Sequence, residues 1–146
     1  MSTNGVYPVY KNQFQINKAG RGGEEDFVTI ADMESFSVSF DDNVEEWTPM
    51  DTEGWTRRLK TGKGMTISLS GKRNVGDPGN DYIAALAWKS GQDCNTSLKW
   101  NFPNGDSVKI PCVINVTEAG GDSTNVEPLA FECMSDGKPA FTAATA

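Results

Sequence analysis

The side chains that could do chemistry here are carboxylates, thiols, indoles and bases, because the 146-residue chain contains no histidine. Ser-His-Asp and Cys-His arrangements are therefore impossible within it, as are histidine-containing zinc sites. Glu45 and Glu46 are adjacent carboxylates, whereas a glycosidase sets two of them across a cleft. Neighbours on a strand point to opposite faces, so this pair reads as structural. Asp41, Asn43 and Glu45 have the alternating spacing of a calcium loop but lack its glycine and distal glutamate. Cys94, Cys112 and Cys133 are odd in number and have no short paired spacing. Cys112 and Cys133 fall on apolar faces of expected strands and read as buried free thiols, which suits a reducing cytoplasm. The expectation is a chain that is not an enzyme and carries no catalytic, cofactor or metal site.

Trp47 and Trp55 flank a turn over residues 49–54, in a segment otherwise made of Glu45, Glu46, Thr48, Thr56 and Arg57. Aromatics in so polar a segment mark a contact surface more often than a core. They could equally form a shelf for sugars, as in a monomeric carbohydrate-binding β-sandwich. Charge is arranged unevenly around them. Residues 24–53 hold eleven acids and no base, among them Glu45, Glu46, Asp51 and Glu53. Residues 57–73 hold six bases and no acid: Arg57, Arg58, Lys60, Lys63, Lys72 and Arg73. Two solvated surfaces would explain the polarity; so would head-to-tail assembly, an acidic face meeting a basic face on the next copy. Complementary charge would then set register and encounter rate, with apolar anchors supplying most of the affinity. The net charge of −7 argues against a general nucleic-acid binder, which needs a basic footprint for phosphates.

The elements that must position these residues are mostly strands. Met65, Ile67 and Leu69 alternate with Thr66, Ser68 and Ser70, the period of a half-buried strand. Phe36, Val38 and Phe40 share a face, as do Leu98, Trp100 and Phe102. The turn residues Pro103-Asn104-Gly105-Asp106 then send the chain back through Val108, Ile110, Cys112, Ile114 and Val116. Residues 14–17, 27–30 and 126–134 read as further strands, the last turning Leu129, Phe131 and Cys133 inward. Residues 44–60 form either a long hairpin or an extended loop, with Pro49 at an edge or bend. One helix is expected over residues 77–90: Asp77 caps it, Pro78 suits its first position, and Gly91 closes it. Trp88 and Trp100 read as core. Residues 1–13 read as an N-terminal arm and 140–146 as a tail too small in side chain to pack. The whole reads as one domain, mainly β, a sandwich or barrel of about seven to nine strands with the helix over one opening. No apolar run approaches the roughly 20 residues that span a bilayer, and the first residues show no secretion signal.

This order of elements resembles the major tail tube protein of long-tailed bacteriophages. The resemblance rests on Trp55-Thr56-Arg57-Arg58-Leu59-Lys60 followed by Gly62-Lys63-Gly64, and on the alternating residues 65–71. The capped helix ending in Ser90-Gly91, the Phe102-Pro103-Asn104-Gly105-Asp106 turn and Ser135-Asp136-Gly137-Lys138-Pro139 complete it, over residues 27–141. It implies a sandwich-like barrel with one flanking helix and an extended loop, six copies to a ring, and rings stacked into a hollow tube. Part of each sheet would join a continuous inner barrel. The loop over residues 47–64 would order on stacking and reach a neighbouring ring. Contacts between copies would involve Trp47, Trp55, Arg57, Arg58, Lys60, Lys63, Glu45, Glu46, Asp51 and Glu53. The implied location is the virion tail, built in the host bacterial cytoplasm, with a tape-measure protein and then duplex DNA in the bore. The lumen would be lined by polar sides of inner strands, so that phosphates slide past without meeting Lys or Arg.

Overall fold

A computed structural model describes residues 5–21 and 24–143. The strands are β1 (Gln13–Asn17), β2 (Phe27–Thr29), β3 (Met33–Phe40), β4 (Asn43–Trp47), β5 (Arg57–Gly62), β6 (Met65–Lys72), β7 (Asn95–Asn101), β8 (Ser107–Ala119), β9 (Pro128–Ser135) and β10 (Ala140–Thr142), and the helix α1 spans Pro78–Ala85. Except for β4 and β5 they form one antiparallel sheet in the order β2-β1-β7-β8-β9-β6-β3, with β10 beside the start of β8. Among the described residues β4 and β5 pair only with each other.

The main sheet closes on itself as a sandwich. Strands near opposite ends of its order touch: the Phe14 ring on β1 lies 4.8 Å from Phe36 on β3, edge to face. Trp100 on β7 contacts both rings and also Phe102, at 4.4 Å. Between the layers lie Ile16, Ile67, Leu98, Ile110, Ile114 and Phe131, each 2% exposed or less. On β6, β8 and β9 these are alternating positions, so the period-2 pattern puts one side of each of these strands in the core. β1 and β7 also bury Asn17, Thr96 and Ser97 beside Ile16 and Leu98. At the β7–β8 turn, Phe102 N–H donates to Asp106 O at 2.8 Å, with Gly105 at φ 97°.

The helix seals one opening between β2 and β6. Asp77 caps it, accepting from Asn80 N–H at 3.0 Å and from Ala31 N–H at 3.2 Å, which ties it to the β2–β3 connection. Asn80 is fully buried and uses all its hydrogen-bonding capacity. Its Oδ1 accepts from Arg73 and from Asn74 N–H, and its Nδ2 donates to Ala31 O and Lys72 O, all within 3.1 Å. Gly79 faces β2 so closely that a Cβ there would sit 2.4 Å from Thr29 O.

Four expectations need correction. The helix ends at Ala85 and passes into a 3₁₀ turn over Leu86–Trp88, rather than running to Ser90. Ile83 and Leu86 are buried three residues apart, and Trp88, two further on, turns outward at 90% exposure. Trp88 is therefore surface, not core; Trp100 is packed as expected, its Nε1–H donating to Asn12 Oδ1 at 3.0 Å. Gly91, at φ 66°, opens a second 3₁₀ turn instead of closing the helix. Finally, residues 140–142 are not a loose tail: they add β10 to β8, and Phe141 lies 6.3 Å from Phe102. Residues 1–4 of the arm and 144–146 of the tail lie outside the described residues. The three cysteines are free and buried. Among the described residues, no helix is long and apolar enough to cross a membrane.

Candidate assembly surfaces

The segment over residues 44–60 is a hairpin, β4 pairing with β5 in the register Val44↔Lys60, Glu45↔Leu59, Glu46↔Arg58 and Trp47↔Arg57. Every residue of β4 is exposed, and all of β5 but Gly62. A two-stranded ribbon wet on both faces is marginal in isolation, yet it carries Val44, Trp47 and Leu59 in the open, at 49%, 41% and 60% exposure. Its tip is tightly built. Thr52 Oγ1–H donates to Pro49 O and Trp55 O, Trp55 N–H returns to Thr52 O, and Glu53 takes a left-handed φ of 55°. Met50 and Trp55 project from it, fully and 77% exposed.

Cross-strand chemistry accounts for most of the charged candidates. Arg58 Nε donates to Glu46 Oε1 at 2.8 Å, and Lys60 Nζ to Asp42 Oδ2 at 2.8 Å. The Arg57 guanidinium lies over the Trp47 ring, 5.3 Å from its centroid, covering one face of the indole. Glu45 accepts from Asn43 Nδ2 at 3.1 Å, on the opposite face of the ribbon from Glu46. On the main sheet Lys72 pairs with Glu34 at 2.8 Å. Antiparallel pairing of β3 with β6 and of β4 with β5 thus lays the acidic run directly beside the basic run. The polarity in sequence is not a pair of opposed faces. What survives runs along the hairpin: Asp51 and Glu53 at the tip, Lys63 at the root, none of them ion-paired with a described residue. Solvated pairs like these contribute about 0–1 kcal/mol each, so they orient the ribbon more than they hold it.

Two further surfaces were not singled out from the sequence. The outward side of β3, β6, β9 and β8 is nearly all small and polar. Ser35, Ser37 and Ser39 pair across to Ser70, Ser68 and Thr66, and these continue to Ala130, Glu132 and Met134. Glu132 in turn pairs with Asn115 on β8. Ser35 and Ser70 share a hydroxyl hydrogen bond at 2.7 Å. Lys72, at the margin, is neutralised by Glu34. The signal was present as serine or threonine at every second position of residues 35–39 and 66–70, but alternation alone does not say which partner the wet side faces. Among the described residues both edges of this four-stranded segment are open: β3 pairs only with β6, and β8 from Ile114 onward pairs only with β9. The second surface is a concavity of about 520 Å³ at the hairpin root, lined by Phe40, Lys63, Met65, Lys138 and Pro139 among others.

This fold has known counterparts. The family model for phage tail tube proteins matches residues 14–141, and the chain belongs to that family. It is similar to the tail of an empty gene transfer agent particle refined with C6 helical symmetry, with 19% identity and a TM-score of 0.77 over 94% of this chain and all of that one. A chain from the virion of the native gene transfer agent particle gives 17% identity and a TM-score of 0.75, with the same coverage. The 6-fold symmetrised baseplate of an anti-feeding prophage contains a chain with 11% identity and a TM-score of 0.60, over all of both chains. No curated protein matches the sequence.

Proposed function

We propose that this chain is a structural, non-enzymatic virion protein whose copies form six-membered rings, stacked into the tube through which DNA leaves the particle. One observation carries the reading furthest: a four-stranded segment with two open edges and a small, polar, cation-poor outer side. An open edge presents unpaired backbone groups and invites another strand. Joining the β3 edge of one copy to the β8 edge of the next removes both, and repetition around a ring closes a barrel. The serine and threonine side, with Glu132 at its centre, then lines the bore.

That lining suits the passage of a polyanion. Lys or Arg in the wall would hold phosphates and slow the duplex, whereas hydroxyls and carboxylates do not. Six copies at −7 put about −42 on each ring, so the tube repels DNA as a whole. Arg57, Arg58 and Lys60 lie on the hairpin, away from this side, where contact with a neighbouring ring is their proposed role. The reading includes a tape-measure protein in the bore before DNA, assembly in the host cytoplasm, and residues 1–146 acting as one tube domain with arm and tail bridging copies. Arg57 over Trp47 weighs against the sugar-shelf alternative. Negative-stain microscopy of the purified protein across a concentration series tests the proposal. Rings or tubes are expected; small uniform particles at every concentration would overturn it.

A further inference from the structure

We propose that the outward side of the sandwich layer away from the bore binds an acidic polysaccharide, held weakly by each copy and firmly by the array of copies. The inference rests on the tube reading, which turns the outer sides of β3, β6, β9 and the far part of β8 towards the bore. The other layer, made of β2, β1, β7, residues 107–113 of β8 and β10, then looks outward. The chain holds 20 acids, yet none lies in those strands, whose only charged residues are Lys99 and Lys109. Gln13, Gln15, Lys99, Asn101, Ser107 and Lys109 share the outward side, since Phe14, Leu98 and Val108 between them are buried. In the ladder Gln15 stands opposite Lys99, and Lys99 opposite Lys109. Gln13, Asn101 and Ser107 form the next row. Like charges directly opposite across a strand pair are destabilising. One acid, Glu25 in the loop before β2, reaches Lys109 at 2.6 Å. Lys99 lies over the Phe27 ring, 5.9 Å from its centroid, and has no ion-pair partner among the described residues. On a chain of net charge −7 this side is therefore an island of unbalanced positive charge.

The chemistry of the island selects the partner. A folded protein needs aromatic or arginine anchors at the centre of its contact, where lysine is depleted. This side offers lysines, amides and a hydroxyl, and its one ring, Phe27, is already capped by Lys99. Duplex DNA carries one charge per about 1.7 Å of axis and is repelled by the acidic ring as a whole. A glycan with a carboxylate or phosphate on some of its sugars is sparser in charge. Its hydroxyls suit the side-chain amides of Gln13, Gln15 and Asn101, which both donate and accept. Two lysines bind such a polymer weakly. Rings repeated along a tube bring many of these sites to one polymer, and avidity then exceeds single-site affinity by about 10²–10⁴.

Co-sedimentation of assembled full-length tubes with labelled dextrans tests this. Carboxymethyl-dextran, phosphorylated dextran or both should pellet with wild-type tubes at low salt and be released as salt rises, while unmodified dextran stays in solution. The better-held of the two anionic polymers identifies the anion. Lys99→Gln with Lys109→Gln should weaken the binding about tenfold or more, with tube formation and circular dichroism as in wild type. Lys89→Gln with Lys138→Gln, which removes the same charge elsewhere, should leave it unchanged. Tubes that form but pellet neither anionic dextran would overturn the proposal and leave the tube intact. So would equal retention of the neutral polymer, or full binding by the Lys99→Gln, Lys109→Gln chain. Closed-circular duplex DNA, which has no end to thread the bore, should stay in solution; if it pelleted as readily as the dextrans, the choice of a polysaccharide would fall. A wild-type chain that forms no tubes overturns the tube reading and this proposal together.

Discussion

Asn80 is the residue on which the helix-to-sheet junction turns, because one buried amide satisfies two carbonyls and two donors from two separate segments, Ala31 and residues 72–74. Replacing it with Ala strands those groups without water, and each such loss costs about 1–3 kcal/mol. Asn80→Ala should lower stability by about 2–4 kcal/mol in urea titrations. Gly79 separates two opposed effects. Helix propensity favours Ala by about 1 kcal/mol, but the new Cβ would meet Thr29 O at 2.4 Å, and backbone on both sides cannot yield cheaply. Gly79→Ala should therefore destabilise, and a stabilised variant would show that helix and β2 are not in contact. Beside them, the hydrogen bond from Arg73, then that from Gly76 N–H, holds the Asp81 carboxyl below its ordinary value of 3.8. A depressed acid binds protons less in the folded state, so its stabilisation is present above pH 3.8 and is lost as pH falls through the depressed value. Asp81→Asn should flatten this part of the acid limb of a stability–pH curve and leave neutral-to-alkaline slopes alone. At the other limb the Cys112 thiol, followed by burial, pushes Cys133 well above its ordinary value. That contribution is full below pH 9.0 and declines as pH rises towards the raised value.

At the scale of elements, legibility in the sequence followed from how each element is held. Strands β6, β8 and β9 bury one side each, and Ile67, Ile110 and Phe131 announced them by alternation. The helix start was legible in Asp77-Pro78, because capping is local chemistry. Its end was not, since Leu86 reaches the core through a 3₁₀ turn and leaves Trp88 outside. β10 was missed because its three residues are exposed and are held by backbone pairing to β8. The hairpin candidates were legible as exposed aromatics and charges. Their mutual pairing, Glu46 to Arg58 and Asp42 to Lys60, was not, because it depends on a register that only the fold fixes. The concavity at the hairpin root was hidden for the same reason, its walls coming from residues 40, 42, 60, 63–65, 135 and 137–139. Since both faces of the ribbon are wet and its pairs contribute about 0–1 kcal/mol each, the sandwich should not need it. Replacing residues 44–60 with a short Gly-Asn turn should leave the thermal midpoint within a few degrees of wild type, a change of roughly 1 kcal/mol. The same deletion should stop assembly, read by sedimentation.

For the whole molecule, the tube account separates two kinds of charge. Hairpin charges guide copies together and should be screened, so assembly rates should fall as salt rises. In that account, charges on the serine-lined side act on cargo. Glu132→Lys should leave the monomer fold and ring formation intact, yet give assembled tubes a salt-sensitive retention of duplex DNA, measurable by co-sedimentation. Both outcomes follow only if β3, β6, β9 and β8 form the inner wall. A helical reconstruction of the purified, assembled protein by electron cryomicroscopy tests that wall most directly. The account predicts six copies per ring, β3 of each paired to β8 of its neighbour, and Ser37, Ser68 and Glu132 facing the bore. A tube whose bore is lined instead by Arg57, Arg58, Lys72 and Arg73, or one in which the serine side is buried between rings, would contradict it.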